Sequence, residues 1–368
     1  MKHARLTLLT LFLAASLSVA ALPKGPELNI PDAVASLTST HKAQIANRVA
    51  HWAGLIKTAL SASTMIEIRD TILSKRDLTL RSASVYREAY VAELVKQIAP
   101  LLEAKALPAD SPKLQWIKQI NIAILFSKLP QANALDVQVK LLSMPQKAMQ
   151  LMGLRGLARQ KKNLFRGETF TTITAAMSKT LPTETNPLIL SACCDVLNLS
   201  RSDAKTLLAP KRAAVAQAAT ATMVQVVARL RANLSSGKIA FDPSAPTSAA
   251  AAKTALKTLR DNMSVLTGKP ATTQALQLTM DVADGALIAY EAGLDQGEKS
   301  NLAATSAAVL VEVESAFVFL SKKSKNYIGS ALRTRSIDER LPNVGEAVVD
   351  KWADELKGFG ITGPSAVK

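Results

Sequence analysis

Residues 145–158 read Pro145-Gln146-Lys147-Ala148-Met149-Gln150-Leu151-Met152-Gly153-Leu154-Arg155-Gly156-Leu157-Ala158. From Asn186 the chain reads Asn186-Pro187-Leu188-Ile189-Leu190-Ser191-Ala192-Cys193-Cys194-Asp195-Val196-Leu197, and Pro145 and Pro187 stand 42 positions apart. Each stretch has a proline where a helix begins, a position that lacks a partner for its N–H in any case. Each also has small residues at its middle and a leucine near its end. Another helical pattern, 167–181, lies between them. Helix pairs recurring at about 40–47 residues mark an α-solenoid. Each pair carries an apolar face too wide to cover alone, so it must stack on the next pair.

Working outward, Ser111-Pro112 opens a helix through Trp116, Ile117, Ile120, Ile124 and Leu125 that Pro130 closes, and 133–142 forms a second. Upstream, the spacing Val34, Leu37, Ile45, Val49, Trp52, Leu55, Ile56 predicts a helix over 31–57 with Thr40 as a possible break. Helical patterns at 63–74 and 84–106 follow, the latter kinked at Pro100. Downstream, 211–234 is a long helix rich in Ala and Val. The run Ser235-Ser236-Gly237-Lys238-Ile239-Ala240-Phe241-Asp242-Pro243-Ser244-Ala245-Pro246-Thr247 then reads as the best domain boundary. Helices over 248–266, 271–294 and 298–325, a loop over 334–342 and a last helix over 344–356 suit a bundle. Gly358, Gly360, Gly363 and Pro364 predict a fraying end. The expected division is 1–20 leader, 21–30 linker, 31–110 helical segment, 111–234 helical repeats, 235–247 linker, 248–357 bundle and 358–368 flexible tail.

The stretch from Pro145 to Ala158 resembles the second helix of a HEAT repeat, and 186–197 is similar and fainter. The resemblance spans about 111–234. No Asp or Arg recurs at equivalent places in both copies, so HEAT-like packing is what it implies and a long regular superhelix is not. It further implies a non-catalytic scaffold that binds a partner through one face.

Composition agrees with the pattern. The 368 residues include 60 alanines, are 48% hydrophobic and only 4% aromatic, and therefore favour helix over sheet. No run alternates convincingly enough for a strand, so the fold class is all-α. The first residues pair Lys2 and Arg5 with an apolar run from Leu6 to Leu17 and the small residues Ser18-Val19-Ala20. That is the pattern of a Sec signal peptide cut after Ala20, placing the protein in the periplasm or outside the cell. No cysteine follows the apolar run, and no later stretch reads as a membrane span. The two cysteines, Cys193 and Cys194, are adjacent. They read as small buried helix residues, with a vicinal redox pair or an intermolecular bridge as the alternatives.

Catalytic signatures are lacking. His41 and His51 stand ten residues apart with no His-Glu-x-x-His motif, so no metal and no cofactor are expected. Gly-x-Ser-x-Gly and Gly-rich phosphate loops are absent as well. Asp281 with Asp284, or Glu312 with Glu314, are the pairs available to a carboxylate hydrolase. Only the first pair shares a helix face, and both pairs read first as solvated helix charges. A third alternative is an apolar-ligand carrier with a dry cavity between the Ala-rich helices.

Positive charge is the remaining signal. Lys+Arg number 45 against 29 Asp+Glu, a formal charge of +16. Between 140 and 166 stand Lys140, Lys147, Arg155, Arg159, Lys161, Lys162 and Arg166 without an acid. If one helix runs past Lys161, then Arg155, Arg159, Lys162 and Arg166 fall within about 60° of one face. Further basic groups stand at Lys211, Arg212, Arg229 and Arg231, and at Lys322, Lys323 and Lys325. Such a surface attracts an anionic envelope polymer, an acidic protein or, peripherally, lipid headgroups through a salt-sensitive field. Nucleic acid is not expected, given the leader and the scarcity of aromatic side chains for stacking. The expectation is therefore an exported binding or scaffold protein whose site is Arg155, Arg159, Lys162 and Arg166.

Overall fold

The computed structural model of the chain describes residues 22–31, 34–74, 84–107, 111–164, 169–199, 209–236, 248–263, 268–297, 300–334 and 336–366. Among them the backbone forms helices and no strand, so the all-α class holds. The leader expected at 1–20 lies outside the described residues. The chain divides at Ile122 into two compact units.

The first unit contains α1 (Ser39–Thr58), α2 (Ala62–Leu73), α3 (Ser84–Gln97) and most of α4 (Pro112–Ser127). Thr38 caps α1 reciprocally with His41: Thr38 Oγ1 accepts from the His41 N–H at 3.2 Å, and His41 Nδ1 accepts from the Thr38 N–H at 3.4 Å. The helix expected from 31 thus starts at Ser39, because the capping box satisfies its first donors there. Thr40 sits in the first turn and breaks nothing. Ile45, Val49, Trp52 and Ile56 bury one face of α1 at helical spacing. The end of α1 is held by Lys118, whose fully buried side chain donates from Nζ to the Lys57 carbonyl at 2.7 Å. A cation there meets the negative end of the helix dipole. The helix expected over 84–106 stops at Gln97 and continues as a tighter 3-10 turn, Ala99–Leu102, where Pro100 has no N–H for an α-helical bond. Residues expected as a free linker instead lie along α1. Arg48 Nη1 donates to the Pro26 carbonyl at 3.0 Å, and the Asn29 N–H donates to Gln44 Oε1 at 3.1 Å.

The second unit takes in the end of α4, then α5 (Leu135–Leu142), α6 (Lys147–Arg159), the single turn α7 (Lys161–Leu164), α8 (Thr169–Thr180) and α9 (Pro187–Leu197). The long helices α10 (Ala209–Ser235), α11 (Ser248–Asn262), α12 (Lys269–Leu294) and α13 (Asn301–Ser321) follow. Short α14 (Tyr327–Ala331), α15 (Ile337–Glu346) and α16 (Ala353–Leu356) complete the unit, with a π turn at Ala347–Trp352 between the last two. One apolar core runs from Leu135 to Ile361.

The glycines of the Pro145–Ala158 stretch have a packing role. A Cβ on Gly153 would stand 2.7 Å from the Gln138 carbonyl, which excludes one at this approach, and a Cβ on Gly156 would stand 2.6 Å from the Gln138 amide carbon, so that the buried Gln138 side chain would have to move. Gln138 is fully buried and closes this junction, donating from Nε2 to the Phe126 carbonyl at 2.8 Å and accepting from Gln160 Nε2 at 2.7 Å.

Three boundaries differ from the sequence expectation. The run 235–247, read as a domain boundary, connects helices of one core; residues 237–247 of it lie outside the described residues. The decisive contact is Asn262 at the end of α11, whose side chain accepts from the Leu199 N–H at 2.6 Å and donates to the Leu197 carbonyl at 3.0 Å. Asn262 thereby satisfies the free end of α9 from across the supposed boundary. The loop expected over 334–342 is largely helix, since α15 starts at Ile337 and takes Pro342 inside it. Pro342 removes one early helical bond, to the carbonyl of the exposed Asp338, and α15 continues beyond it. Lastly, α13 has a mean hydropathy of 1.6 over an 18-residue window and is long and apolar enough to cross a membrane, contrary to the expectation that no such stretch follows the leader. Half of that window is buried inside the unit, where α13 lies against α11 and α12. Glu314, in its middle, accepts from the Ile328 N–H at 2.7 Å, the Gly329 N–H at 2.8 Å and Trp352 Nε1 at 3.1 Å.

Candidate functional site

Arg155 and Arg159 sit one turn apart on the exposed side of α6. With Ala158, Lys161, Ala192 and Asp195 they line a cleft of about 370 Å³. The single stripe expected of Arg155, Arg159, Lys162 and Arg166 requires one continuous helix, and α6 ends at Arg159. Gln160 follows with φ −97° and ψ 20°, and its side chain is drawn inward to Gln138. The Lys162 side chain and the whole of Arg166 lie outside the described residues. Lys161 turns toward the neighbouring hairpin, donating from Nζ to the Asn198 carbonyl at 2.9 Å. Lys147, earlier on α6, pairs with Glu184 at 2.6 Å. No ion pair among the described residues uses Arg155 or Arg159. Across the cleft, Asp195 is held above the usual carboxylate range by burial, against the opposing pull of Lys161 and Lys257.

The other basic groups differ in kind. Arg231, counted with Lys211, Arg212 and Arg229 as basic surface, is turned into acid. Its Nε donates to Asp284 Oδ2 at 2.7 Å, and its Nη1 lies 4.0 Å from Asp281 Oδ1. Asp281 and Asp284 thus do come together on one face of α12, as their spacing predicts, but with an arginine against them. Close approach of α10 makes this possible: a Cβ on Gly285 would meet the Arg231 Cα and carbonyl at 3.1 Å. Lys323 pairs with Glu355 at 3.3 Å. Glu312 and Glu314 point apart, Glu312 to Arg260 at 3.5 Å and Glu314 into the core.

Arg231, Asp281 and Asp284 form the polar end of a second cleft, between α10 and α12, with a volume of about 640 Å³. Val224, Ala228, Leu278 and Ile288 supply its apolar wall. The segment expected to fray crosses it. Ser365 donates through its N–H to Asp281 Oδ1 at 2.6 Å and through its hydroxyl to Asp281 Oδ2 at 2.9 Å, while its carbonyl accepts from Arg231 Nη1. Gln277 Nε2 donates to the Gly363 carbonyl at 3.0 Å. Spacing located the acids, and Arg231 was marked only as one of a basic cluster; nothing local marked Ser365 or the meeting of the two with Asp281, from 84 and about 50 positions away.

The remaining chemistry-bearing groups are structural. Cys193 and Cys194 are buried free thiols, as the first reading had it, and burial raises both well above the ordinary thiol range. His41 caps α1, and His51 Nε2 lies 3.2 Å from the Pro23 carbonyl. Among the described residues, no group of three His, Cys, Asp or Glu side chains is placed to hold a metal ion. No protein-family model matches the chain, and no curated protein matches it.

Proposed function

We propose that the protein is a non-catalytic helical binding protein, exported by the Sec pathway, that engages an anionic envelope component or an acidic protein through the basic edge of α6. The observation that carries this reading is the pair Arg155 and Arg159: both are exposed, one helical turn apart, and they flank a cleft without being used in an ion pair among the described residues. An arginine spent on structure, such as Arg231, has its carboxylate at 2.7 Å. Two guanidinium groups left at the rim of a cleft are available to a bidentate acidic ligand. Helix α6 packs on both α5 and α9, a layering compatible with a HEAT-like scaffold, although α8 packs on α10 and forms no close hairpin with α9. A leader with the Sec pattern puts the partner in the periplasm or outside the cell.

The test is retention of the chain from Ala21 by cell-envelope fractions at low and high salt. A specific polysaccharide or protein held at low salt and released at high salt is the expected result. The double variant Arg155→Glu/Arg159→Glu should lose retention at unchanged melting temperature. Retention that persists in that variant sinks the proposal, as does a melting temperature that collapses while affinity per folded molecule holds.

A further inference from the structure

We propose that the cleft between α10 and α12 is a binding site for a non-acidic peptide segment that bends just before a hydroxyl residue, which the chain's own residues 363–366 fill in cis. Four hydrogen bonds hold that segment. Three use backbone groups, the Ser365 N–H and carbonyl and the Gly363 carbonyl, and the fourth uses the Ser365 hydroxyl. Any chain that bends as Gly363 and Pro364 do offers the first three, and only a serine or threonine at the central position offers the fourth. The cleft therefore recognises a bent backbone together with one hydroxyl side chain.

The charges also select the ligand. Asp281 and Asp284 against Arg231 leave one net negative charge at the polar end, which favours N–H and O–H donors and disfavours acidic peptides. Asp281 has both carboxylate oxygens on Ser365 and only 7% of its surface exposed, so it is buried by the segment that it binds. Among the described residues the wall beyond is unfilled. Val224 and Ile288 remain 39% and 38% exposed at a cleft whose remaining volume is about 640 Å³, and Ala366 presents only a methyl group to it. A ligand with larger apolar residues following its serine buries surface that 363–366 leave open, at about 25 cal/mol per Å². Residues 363–366 are then a weak internal competitor. Their anchor is Ile361, which is buried in the core and keeps the segment close to the cleft when it is displaced.

The test uses the full chain and a fluorescein-labelled peptide of residues 361–368 as the probe, read by anisotropy, with a scrambled peptide as control. Ser365→Pro removes the N–H and the hydroxyl that hold the segment in cis. This variant should bind the probe at least tenfold more tightly than the unaltered chain. Adding Asp281→Asn, or using a probe with Ser365→Ala, should cost at least tenfold. Should Ser365→Pro melt below the unaltered chain, Ser365→Ala in the full chain is the second variant, with the same direction and a smaller shift. Folded variants that bind the probe no better than the unaltered chain, or that bind the scrambled peptide equally, overturn the proposal. A solvatochromic apolar dye that enters the opened cleft and is not displaced by the probe assigns the cleft to small apolar ligands and overturns it too.

Discussion

The clefts at Arg155 and at Arg231 are built from the same residue type and behave oppositely. On α6, two arginines project from an exposed face, and the acid across from them, Asp195, is held above its ordinary range by burial. On α10, Arg231 is only 15% exposed and lies against two carboxylates of α12 and the backbone of Ser365. The first arrangement leaves charge at the surface; the second spends charge on joining α10 to α12. The difference is the close approach of α12, which Gly285 permits at Arg231.

The comparison breaks most visibly when the spent charge is removed. Arg231→Ala leaves Asp281 and Asp284 without their cation in a site where their side chains are 9% and 22% exposed. A loss of about 2–4 kcal/mol is expected in chemical denaturation, somewhat below the full cost of an unpaired buried charge because Asp284 retains solvent. Next comes Gly156→Ala, which drives a methyl into the fully buried Gln138 and should cost about 1–3 kcal/mol by the same measurement. A loss under 0.5 kcal/mol would show that α5 and α6 separate easily. Smaller and of opposite sign is Lys322→Gly. Lys322 ends α13 with φ +62°, a left-handed conformation that glycine adopts without cost. A gain of about 0.5–1 kcal/mol is expected, offset in part by the lost contact of Lys322 with the Phe319 ring at 4.7 Å. Smallest of all, Arg155→Glu/Arg159→Glu should move stability by no more than about 0.5 kcal/mol. The same variant should reduce binding to dextran sulfate at least tenfold at low salt, with the gap closing as salt is raised. A large loss of stability there would place these two arginines with Arg231.

Much of the helical architecture is legible in the residues. Ala-rich segments with Leu, Val and Ile at helical spacing can only be helices, and Pro112 and Pro187 mark helix starts to the residue. Capping is partly legible: Asn186 before Pro187 accepts from the Leu188 N–H at 2.9 Å, and Ser111 accepts from the Leu114 N–H at 3.3 Å. The start of α1 is decided by the cap that Thr38 and His41 make, and the end of α9 by Asn262 at the end of α11, a partner outside the local pattern. The site followed the same division. The acidic pair and the basic run of α6 could be found from spacing; the break at Gln160 could not, because its cause is a buried hydrogen bond to Gln138, 22 residues earlier.

Sequence alone determined the all-α class, the burial of Cys193 and Cys194 and the sharing of one helix face by Asp281 and Asp284, because helix propensity and the helical period act over a few neighbouring residues. Which charges are neutralised and which are left at the surface was decided only by the tertiary structure. A guanidinium becomes structural or available according to what stands within about 4 Å of it, and for Arg231 that is supplied by Asp281, Asp284 and Ser365, residues the chain brings back from 50 to 134 positions away.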